Sequence, residues 1–322
     1  MTTVPATTSV ADELETHRRG LTGYCYRMLG SGSEAEDAVQ ETFIRAWQAA
    51  DRFEGRASIK NWLYRIAHNV CIDMHRSPQR RAMSVDLGPA RTPDPANLAD
   101  VLPEDRWVSP VADDRVLAPA ADPAAVAEAR ESVRLAFVTS LQRLPARQRA
   151  ALVLCDVLAW PAAETAELLD TTVASVNSAL QRARATLAEA PSPAAGPRRE
   201  PDPALLARYV DAFERYDMDA LTAVLHDDVI QTMPPYAMWL SGVDDLRTFY
   251  LGPGAGCAGS RLVAGRANGC PAFAQYKPDP AGGFSPWALQ VVEFRDDRVA
   301  ALHFFLDTAE CFPRFGFPLR LD

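Results

Sequence analysis

Residues 171–187 read TTVASVNSALQRARATL, and this stretch decides the fold of the segment around it. Its apolar side chains recur at the spacing of one helical face, which predicts an amphipathic helix. The core stripe consists of Val173, Val176, Leu180, Ala183 and Leu187. Thr172 stands directly before the helix and is its predicted N-cap.

Two further helices are predicted upstream, since Leu144-Pro145 and Trp160-Pro161 each place a proline where a helix can begin. Together the segments predict a helix-turn-helix domain over residues 125–189. The outer face of its last helix carries Ser175, Ser178, Gln181 and Arg182, with Asn177 and Arg184 at its flanks. Short and forked polar side chains of this kind read base edges in the major groove. A purely structural three-helix module would show the same core stripe, so this pattern alone leaves both interpretations open.

A second informative stretch is SIKNWLYRIAHNVCIDMHR at residues 58–76. Its predicted packing stripe is Ile59, Leu63, Ile66, Val70 and Met74, and its outer face is Asn61, Arg65, His68, Asn69 and Arg76. Trp62 and Tyr64 add aromatic rings on which unstacked bases can lie. Any amphipathic helix divides in this way, but the aromatic residues favour a nucleic-acid surface.

The preceding helix contains EDAVQETFIRAWQ at residues 36–48. Its predicted packing side is Ala35, Ala38, Val39, Thr42, Phe43, Ala46 and Trp47. Asp37, Gln40, Glu41, Arg45 and Gln48 are predicted to lie outside, together with Ile44, an apolar residue on a polar face. Composition alone favours a solvated face, and a protein-docking surface is the alternative.

The order and wording of these segments resemble the two conserved domains of bacterial ECF (extracytoplasmic-function) RNA polymerase sigma factors. The resemblance implies that residues 10–76 are sigma region 2 and that Asp37, Gln40, Glu41 and Ile44 dock on core RNA polymerase. It further implies that Asn61, Trp62, Tyr64, Arg65, His68, Asn69 and Arg76 open minus-ten promoter DNA, with Asn69 as the best partner for a flipped base. Residues 125–189 would be sigma region 4, which reads the minus-thirty-five element. Asn177 and Ala179 depart from the family's common basic residue and Arg, which puts the promoter preference in doubt.

Residues 77–124 lose helical periodicity and are rich in Pro and Asp, and residues 190–203 form a second Pro-rich segment. Composition predicts two solvated linkers. In the resembled family the first linker passes through the polymerase active-site cleft and the RNA exit path, where acidic residues suit a segment that mimics nucleic acid.

Residues 204–322 predict an α+β domain, with helices at the start and two strands, WALQVVEF and VAALHFFLD, joined by RDDR as a hairpin. This segment resembles the SnoaL-like cone fold that is fused to some ECF sigma factors. Such cones enclose an apolar pocket, and the residues predicted to line it are Tyr209, His226, Tyr236, Trp239 and His303. Core packing, ligand binding and catalysis are all open for these residues, with core packing the commonest outcome.

Composition places limits on the function. A chain of 322 residues predicts two or three domains, and its net charge of −9 means that phosphate contacts depend on local basic patches or on a partner. Neither an apolar run of membrane-spanning length nor a secretory signal is found in the sequence, which predicts a cytoplasmic protein without membrane insertion. Its six cysteines form no metal-ligand motif, so neither a metal nor a cofactor is expected.

The sequence therefore predicts a multidomain protein with two all-α sigma domains, the second a helix-turn-helix, followed by a SnoaL-like α+β domain. The predicted partners are core RNA polymerase and promoter DNA, with a small-molecule ligand of the last domain left open. The predicted function is promoter-specific initiation of transcription without catalysis of its own, with the third domain regulating the sigma domains in cis. A one-component regulator that senses a small molecule and a SnoaL-type enzyme are the two alternatives.

Overall fold

The computed structural model describes residues 6–53, 58–74, 81–119, 122–189 and 201–322. The chain divides into two compact units, the first formed by Met1–Arg81 and Val108–Pro191 and the second by Ala82–Trp107 and Ser192–Asp322. Each unit therefore contains two separate stretches of the sequence.

The first stretch of the first unit is a bundle of three helices, α1 (Ala6–Leu29), α2 (Gly32–Gln48) and α3 (Ile59–Met74). Ser31 caps α2, since its side chain accepts a hydrogen bond from the backbone N–H of Glu34. The side chains of Leu21, Val39 and Leu63, one from each helix, are fully buried. The bundle is thus held together by one apolar stripe from each helix.

The second stretch of the first unit is helical as well. It contains α4 (Asp113–Val116), α5 (Pro123–Glu131), α6 (Leu135–Gln142), α7 (Ala146–Leu152), a π-helical turn at Val153–Val157, α8 (Ala162–Leu168) and α9 (Val173–Ala188). Helices α7 and α8 begin directly after Pro145 and Pro161, as the sequence predicts. The predicted cap of α9 is confirmed, because the Thr172 side chain accepts the backbone N–H of Ser175 at 3.2 Å.

The second unit is built on one six-stranded sheet with helices packed on it. Its helices are α10 (Pro203–Glu214), α11 (Met218–Ala223), α12 (Val243–Leu251) and α13 (Thr308–Arg314). Its strands are β1 (Leu225–Thr232), β2 (Trp239–Ser241), β3 (Arg261–Ala267), β4 (Cys270–Pro278), β5 (Phe284–Arg295) and β6 (Arg298–Phe305). The strand order is β2-β1-β6-β5-β4-β3, and β1 and β6 run parallel while the other neighbours run antiparallel.

The predicted hairpin is formed by β5 and β6, which pair up to Arg295 opposite Arg298. The two residues between them, Asp296 and Asp297, both have positive φ angles, of 49° and 59°. Asp tolerates this left-handed conformation better than most residues, and a two-residue turn of this kind matches the twist of the strands. The α+β prediction for this domain is confirmed.

The Pro-rich segment between the helical stretches differs from a solvated linker. Residues 82–107 contain three short 3-10 helices, Ser84–Asp86, Pro95–Ala99 and Glu104–Arg106, and belong to the same compact unit as the sheet. Val101 forms an antiparallel bridge with Tyr236, in the loop between β1 and β2. Backbone hydrogen bonds, which composition does not reveal, therefore fix this segment. The second predicted linker, residues 190–203, lies outside the described residues except for its last three positions.

Candidate nucleic-acid interface

The outer face of α9 is open to solvent. The predicted minus-thirty-five readers Ser175, Asn177, Ser178, Gln181, Arg182 and Arg184 are all exposed. On the opposite side Val176, Leu180 and Ala183 are buried. Val173 was predicted to belong to this stripe but is 44% exposed, because it occupies the first position of the helix and the buried stripe begins one turn later. The helix thus presents a continuous polar face.

The two arginines of α9 are held differently. The guanidinium of Arg184 donates two hydrogen bonds to the Asp156 carboxylate, at 2.7 and 2.9 Å, and this pairing raises the pKa of Arg184. The Arg182 guanidinium donates one hydrogen bond, at 2.8 Å, to the Ser178 hydroxyl one helical turn away. A guanidinium carries five N–H donors, so this single contact orients Arg182 while leaving donors for a base edge or phosphate. Of the two guanidinium groups, that of Arg182 therefore makes fewer hydrogen bonds within the protein.

The outer face of α3 is less open than predicted. Asn69 and Arg65 are exposed, while Asn61 is half-buried. Trp62 is also half-buried, with its ring 4.8 Å from that of Phe53. Arg76, the last residue of the predicted set, lies outside the described residues.

Tyr64 and His68 depart from the prediction that they lie on the accessible face of α3. Both are buried, Tyr64 at 4% and His68 at 9% exposure. The Tyr64 ring lies 5.5 Å from the Tyr24 ring of α1, and the Tyr24 hydroxyl is hydrogen-bonded to His68 Nδ1 at 2.9 Å. Burial lowers the pKa of His68 to about 4, with a further contribution from the positive charge of Arg147. These residues therefore pack the bundle, and His68 is neutral at pH 7.

The face of α2 that was predicted to dock on polymerase is accessible. Asp37, Gln40 and Ile44 are exposed, and Glu41 is half-buried, with its carboxylate accepting a hydrogen bond from Arg45 at 2.7 Å. Trp47 was predicted to pack inward but is 53% exposed, close in exposure to Ile44 at 52%. Two large apolar side chains on one exposed, charged helix are typical of a surface that a protein partner covers.

Within the first unit, α8 covers part of the outer face of α3. Asn61 donates a hydrogen bond to the Glu164 carboxylate at 3.3 Å, and the Arg65 guanidinium donates to the backbone carbonyl of Glu167 at 2.9 Å, with its carboxylate 3.7 Å away. The ring of Trp160, just before α8, lies 5.0 Å from the ring of Tyr64. The helix predicted to open DNA thus contacts the helix-turn-helix domain.

A buried arginine joins the two helical stretches of the first unit. Arg149 of α7 is 1% exposed and donates hydrogen bonds to the carbonyl of Met28 at the end of α1, to the carbonyl of Leu144 at 3.1 Å and to the Gln142 side chain at 2.6 Å. Sequence analysis did not single out this residue. Its signal is its place three residues before the buried Leu152, on the apolar face of α7, where an unpaired charge would be costly.

The five predicted pocket residues of the second unit do not surround one cavity. Tyr209 lies in the core between helices and sheet, whereas His303 lies on the other sheet face, since its neighbours Leu302 and Phe304 belong to that core. His303 Nδ1 is hydrogen-bonded to the Thr232 hydroxyl at 2.9 Å. His226 is partly exposed, and its ring lies beside the Asp228 carboxylate.

Tyr236 and Trp239, the remaining two predicted residues, both contact the segment 82–107, and Tyr236 also packs against the core that contains Tyr209. Tyr236 accepts a hydrogen bond from the Ser84 hydroxyl at its backbone carbonyl, at 3.3 Å. Trp239 donates from its indole N–H to the carbonyl of Gly88 at 2.8 Å. These contacts come from a segment distant in sequence, and a ligand at Tyr236 and Trp239 stays a prediction.

The interior of the cone contains its own polar network. The hydroxyl of Tyr209 donates to Gln290 at 2.7 Å, the Gln290 amide donates to Gln275 at 2.9 Å, and the Gln275 amide donates to the Ser260 hydroxyl at 2.9 Å. Gln290 and Gln275 are fully buried. Because these polar groups hydrogen-bond to one another, few donors or acceptors in the core are left to bind a ligand.

One group of carboxylates in the described residues has metal-binding geometry. Oxygen atoms of Glu104, Asp307 and Glu310 all lie within 4.8 Å of one another, but all three residues are exposed. Exposed acidic groups often cluster without an ion, so we assign no metal function to them. Among the described residues, no helix is both long and apolar enough to cross a membrane.

Comparisons with known proteins identify the family. Residues 14–81 match the family model of Sigma-70 region 2, residues 134–187 match Sigma-70 region 4, and residues 206–302 match the SnoaL-like domain. The chain is 42% identical over 311 residues to the ECF RNA polymerase sigma factor SigG of Mycobacterium tuberculosis, an alignment covering 94% of this chain and 82% of SigG. This chain belongs to the ECF RNA polymerase sigma factors.

A second ECF sigma factor of Mycobacterium tuberculosis, SigJ, is 30% identical over 249 residues, which cover 74% of this chain and 72% of SigJ. The crystal structure of SigJ matches the fold with a TM-score of 0.56 at 25% identity, covering 96% of this chain and 99% of the SigJ chain. The predicted family and the predicted fold class are both confirmed. As a sigma factor the chain acts in transcription initiation with core RNA polymerase and promoter DNA, and its SnoaL-like domain is paired with that function.

Proposed function

We propose that α9 reads the minus-thirty-five element, that α3 opens the minus-ten region, and that α2 docks on core RNA polymerase. The observation that carries this assignment is the continuous exposed polar face of α9, the last helix of the helix-turn-helix domain, which is capped by Thr172. Exposure of Asn69 on α3 and of Ile44 and Trp47 on α2 supports the other two roles. The three surfaces belong to different helices and so can be tested separately.

Run-off transcription tests this assignment directly. Purified bacterial core polymerase is mixed with the full chain on a promoter selected from fragments upstream of the chain's own gene. We expect transcripts that require the protein, and a reaction without it serves as the control. Failure of the protein to bind core polymerase would contradict the assignment and turn attention to a regulator that binds duplex DNA alone.

We propose further that the SnoaL-like domain inhibits transcription by holding the segment between the sigma domains. The backbone N–H of Arg91 donates to the carbonyl of Trp239 at 2.9 Å, and that of Leu102 donates to the carbonyl of Pro235 at 3.0 Å. The backbone N–H of Ala237 donates back to the carbonyl of Asp100 at 3.1 Å. In the sigma family this segment must follow a path through polymerase, so contacts that keep it on the SnoaL-like domain oppose that path.

A proline substitution tests the proposed hold without truncating the chain. Arg91→Pro removes the N–H that donates to Trp239, whereas Arg91→Ala keeps it and removes only the exposed side chain and its contact with Asp100. One backbone hydrogen bond contributes about 0.5–1.5 kcal/mol. We expect Arg91→Pro to raise run-off transcription about two- to tenfold at limiting protein, and Arg91→Ala to match wild type. Equal transcription by both variants and wild type would contradict the inhibitory hold.

A small-molecule partner of the cone is a further proposal, and the closed interior network sets its requirement. A ligand would have to displace Tyr209 from Gln290, which are hydrogen-bonded at 2.7 Å. Thermal-shift screening of the full chain against apolar and polyketide-like compounds tests it, and a Tyr209→Phe variant that responds equally would place the ligand elsewhere.

A further inference from the structure

Part of the outer face of α3 is contacted in the free protein by groups that share the chemistry of a DNA strand. The carboxylate of Glu164 accepts the amide of Asn61, and Glu167 presents both its carbonyl and its carboxylate to Arg65. Phosphate oxygens of a promoter strand would offer the same acceptors to the same two residues. Glu164 and Glu167 are both exposed residues of α8, one helical turn apart.

An aromatic contact completes the arrangement. The Trp160 ring lies 5.0 Å from the Tyr64 ring at an interplanar angle of 49°, and the ammonium group of Lys60 lies 4.9 Å from the Trp160 ring centre. Trp160 thus contacts an aromatic ring and a cationic group of α3, the two kinds of group with which an unstacked base interacts. Trp160, Glu164 and Glu167 therefore supply one ring and two carboxylates, where a single strand supplies bases and phosphates.

We propose that Trp160, Glu164 and Glu167, here called the α8 patch, act as an internal mimic of the minus-ten strand and mask α3 in the free protein. The inference rests on the proposed role of α3 in opening promoter DNA. Region 4 would then bind two partners: α8 contacts region 2 of the same chain, and α9 contacts the minus-thirty-five element. Polymerase binding must separate α8 from α3 before the minus-ten strand can enter.

The contact is built to open. Trp160 is only 6% exposed, and its buried indole N–H has no hydrogen-bond partner among the described residues. A buried donor without a partner opposes the closed state, because water satisfies it on opening. The carboxylates of the α8 patch are largely solvated, so their contacts contribute modestly. A mask of this strength can be displaced by a larger docking surface.

Charge reversal of the patch tests the mask. The full chain carrying Glu164→Lys and Glu167→Lys is compared with a control carrying Glu128→Lys and Glu189→Lys, two exposed glutamates elsewhere in the first unit that change the net charge equally. The probe is a fluorescent single-stranded minus-ten oligonucleotide, with no polymerase present and no minus-thirty-five sequence. Hydrogen exchange of α3 and α8 peptides follows the contact itself, and circular dichroism checks that the variants fold.

We expect the patch variant to bind the oligonucleotide about fivefold more tightly than the control variant, with faster exchange in α3 and α8. Equal affinity of the two variants would overturn the proposal, because any gain over wild type would then be a nonspecific charge effect. Unchanged exchange in α3 and α8 would overturn it as well. Run-off transcription with core polymerase separates this outcome from failure of the sigma function, since an unmasked factor without a mimic would still transcribe its promoter.

Discussion

Helices α3 and α9 were predicted from the same kind of pattern, yet the structure treats their outer faces differently. On α9 all six predicted polar side chains are exposed, whereas on α3 Tyr64 and His68 are buried and Asn61 and Arg65 contact α8. A recognition helix lies in the major groove with its polar side chains against base edges, so these side chains must be accessible. Opening a duplex requires aromatic and polar groups that, if left exposed, would also bind other molecules. On α3 these groups are partly covered. Under the proposed assignment, this difference separates a helix whose DNA-reading face is accessible in the free protein from one whose face is partly covered by α8.

The largest expected effect comes from breaking the joint between α1 and α7. Arg149→Leu removes the donors to the carbonyls of Met28 and Leu144 and leaves both buried oxygens without them. We expect the first unit to lose about 3 kcal/mol, because each buried acceptor left unpaired costs about 1–3 kcal/mol. Native-state hydrogen exchange of α1 and α7 amides measures the loss.

The matched control for this joint is Arg147→Leu, on the same helix but exposed. We expect it to change stability by less than about 0.5 kcal/mol, as is usual for surface positions. If the α1 and α7 amides exchanged at the same rates in both leucine variants, Arg149 would not hold the two helical stretches of the first unit together. The contact of α8 with α3 would then need another cause. If only Arg149→Leu also speeds exchange in α3, the joint and the cover belong to one cooperative unit.

A second expected effect distinguishes a packing role of His68 from a DNA-binding role. Its pKa is lowered to about 4 in the folded protein, below the value of about 6.5 in an unfolded chain. Between these values the unfolded state binds a proton that the folded state does not, so stability falls as the pH falls from about 6.5 to 4. The total loss is about 3 kcal/mol.

His68→Gln removes this titration and retains an acceptor for the Tyr24 hydroxyl, which lies 2.9 Å from His68 Nδ1. We expect the free energy of unfolding of the first unit to depend less on pH over that window in the variant than in wild type, as measured by hydrogen exchange at several pH values. Identical pH dependence in the two proteins would show that His68 is not the buried neutral group described above.

Local signals explain what the sequence could predict. The α9 face depends on helical periodicity and on the Thr172 cap, which involve residues within a few positions of one another. The β5–β6 hairpin likewise depends on Asp296 and Asp297, which tolerate positive φ angles. The resemblance of the motifs to ECF sigma factors predicted the order of the domains, and the comparisons confirm the family over nearly the whole chain.

Contacts between distant residues explain what the sequence could not predict. His68 is buried by Tyr24, 44 residues away, and the α3 face is covered by Glu164, 103 residues away from Asn61. Periodicity identifies a polar face but not what lies on it. The segment 82–107 is held by backbone hydrogen bonds, for example from Arg91 to Trp239, and these require no particular side chain. Because these bonds leave no mark on the side-chain composition, the Pro-rich composition of the segment indicated only a solvated linker.

A third prediction tests the open face of α9. Arg182→Ala removes an exposed guanidinium that is oriented by Ser178. A bidentate arginine contact to a base contributes about 1–3 kcal/mol of discrimination. We expect holoenzyme to bind a minus-thirty-five duplex about tenfold more weakly, as measured by fluorescence anisotropy, with opening of the minus-ten region unchanged once bound. Arg208→Ala, an exposed arginine of α10, is the control, and an equal loss in that variant would indicate general charge attraction.

The smallest expected effect concerns Asn69, the exposed part of the α3 face. Asn69→Ala removes an amide that can hydrogen-bond a flipped base, and one such bond contributes about 1 kcal/mol. We expect about fivefold less permanganate reactivity of unpaired minus-ten thymines in the holoenzyme complex, with binding to the minus-thirty-five duplex unchanged. The same defect should appear when Glu164→Lys and Glu167→Lys are also present, because unmasking α3 does not replace the missing amide. A defect that disappears in that background would mean that Asn69 acts on the contact with α8 instead of on DNA, and α3 would then differ from α9 in function as well as in exposure.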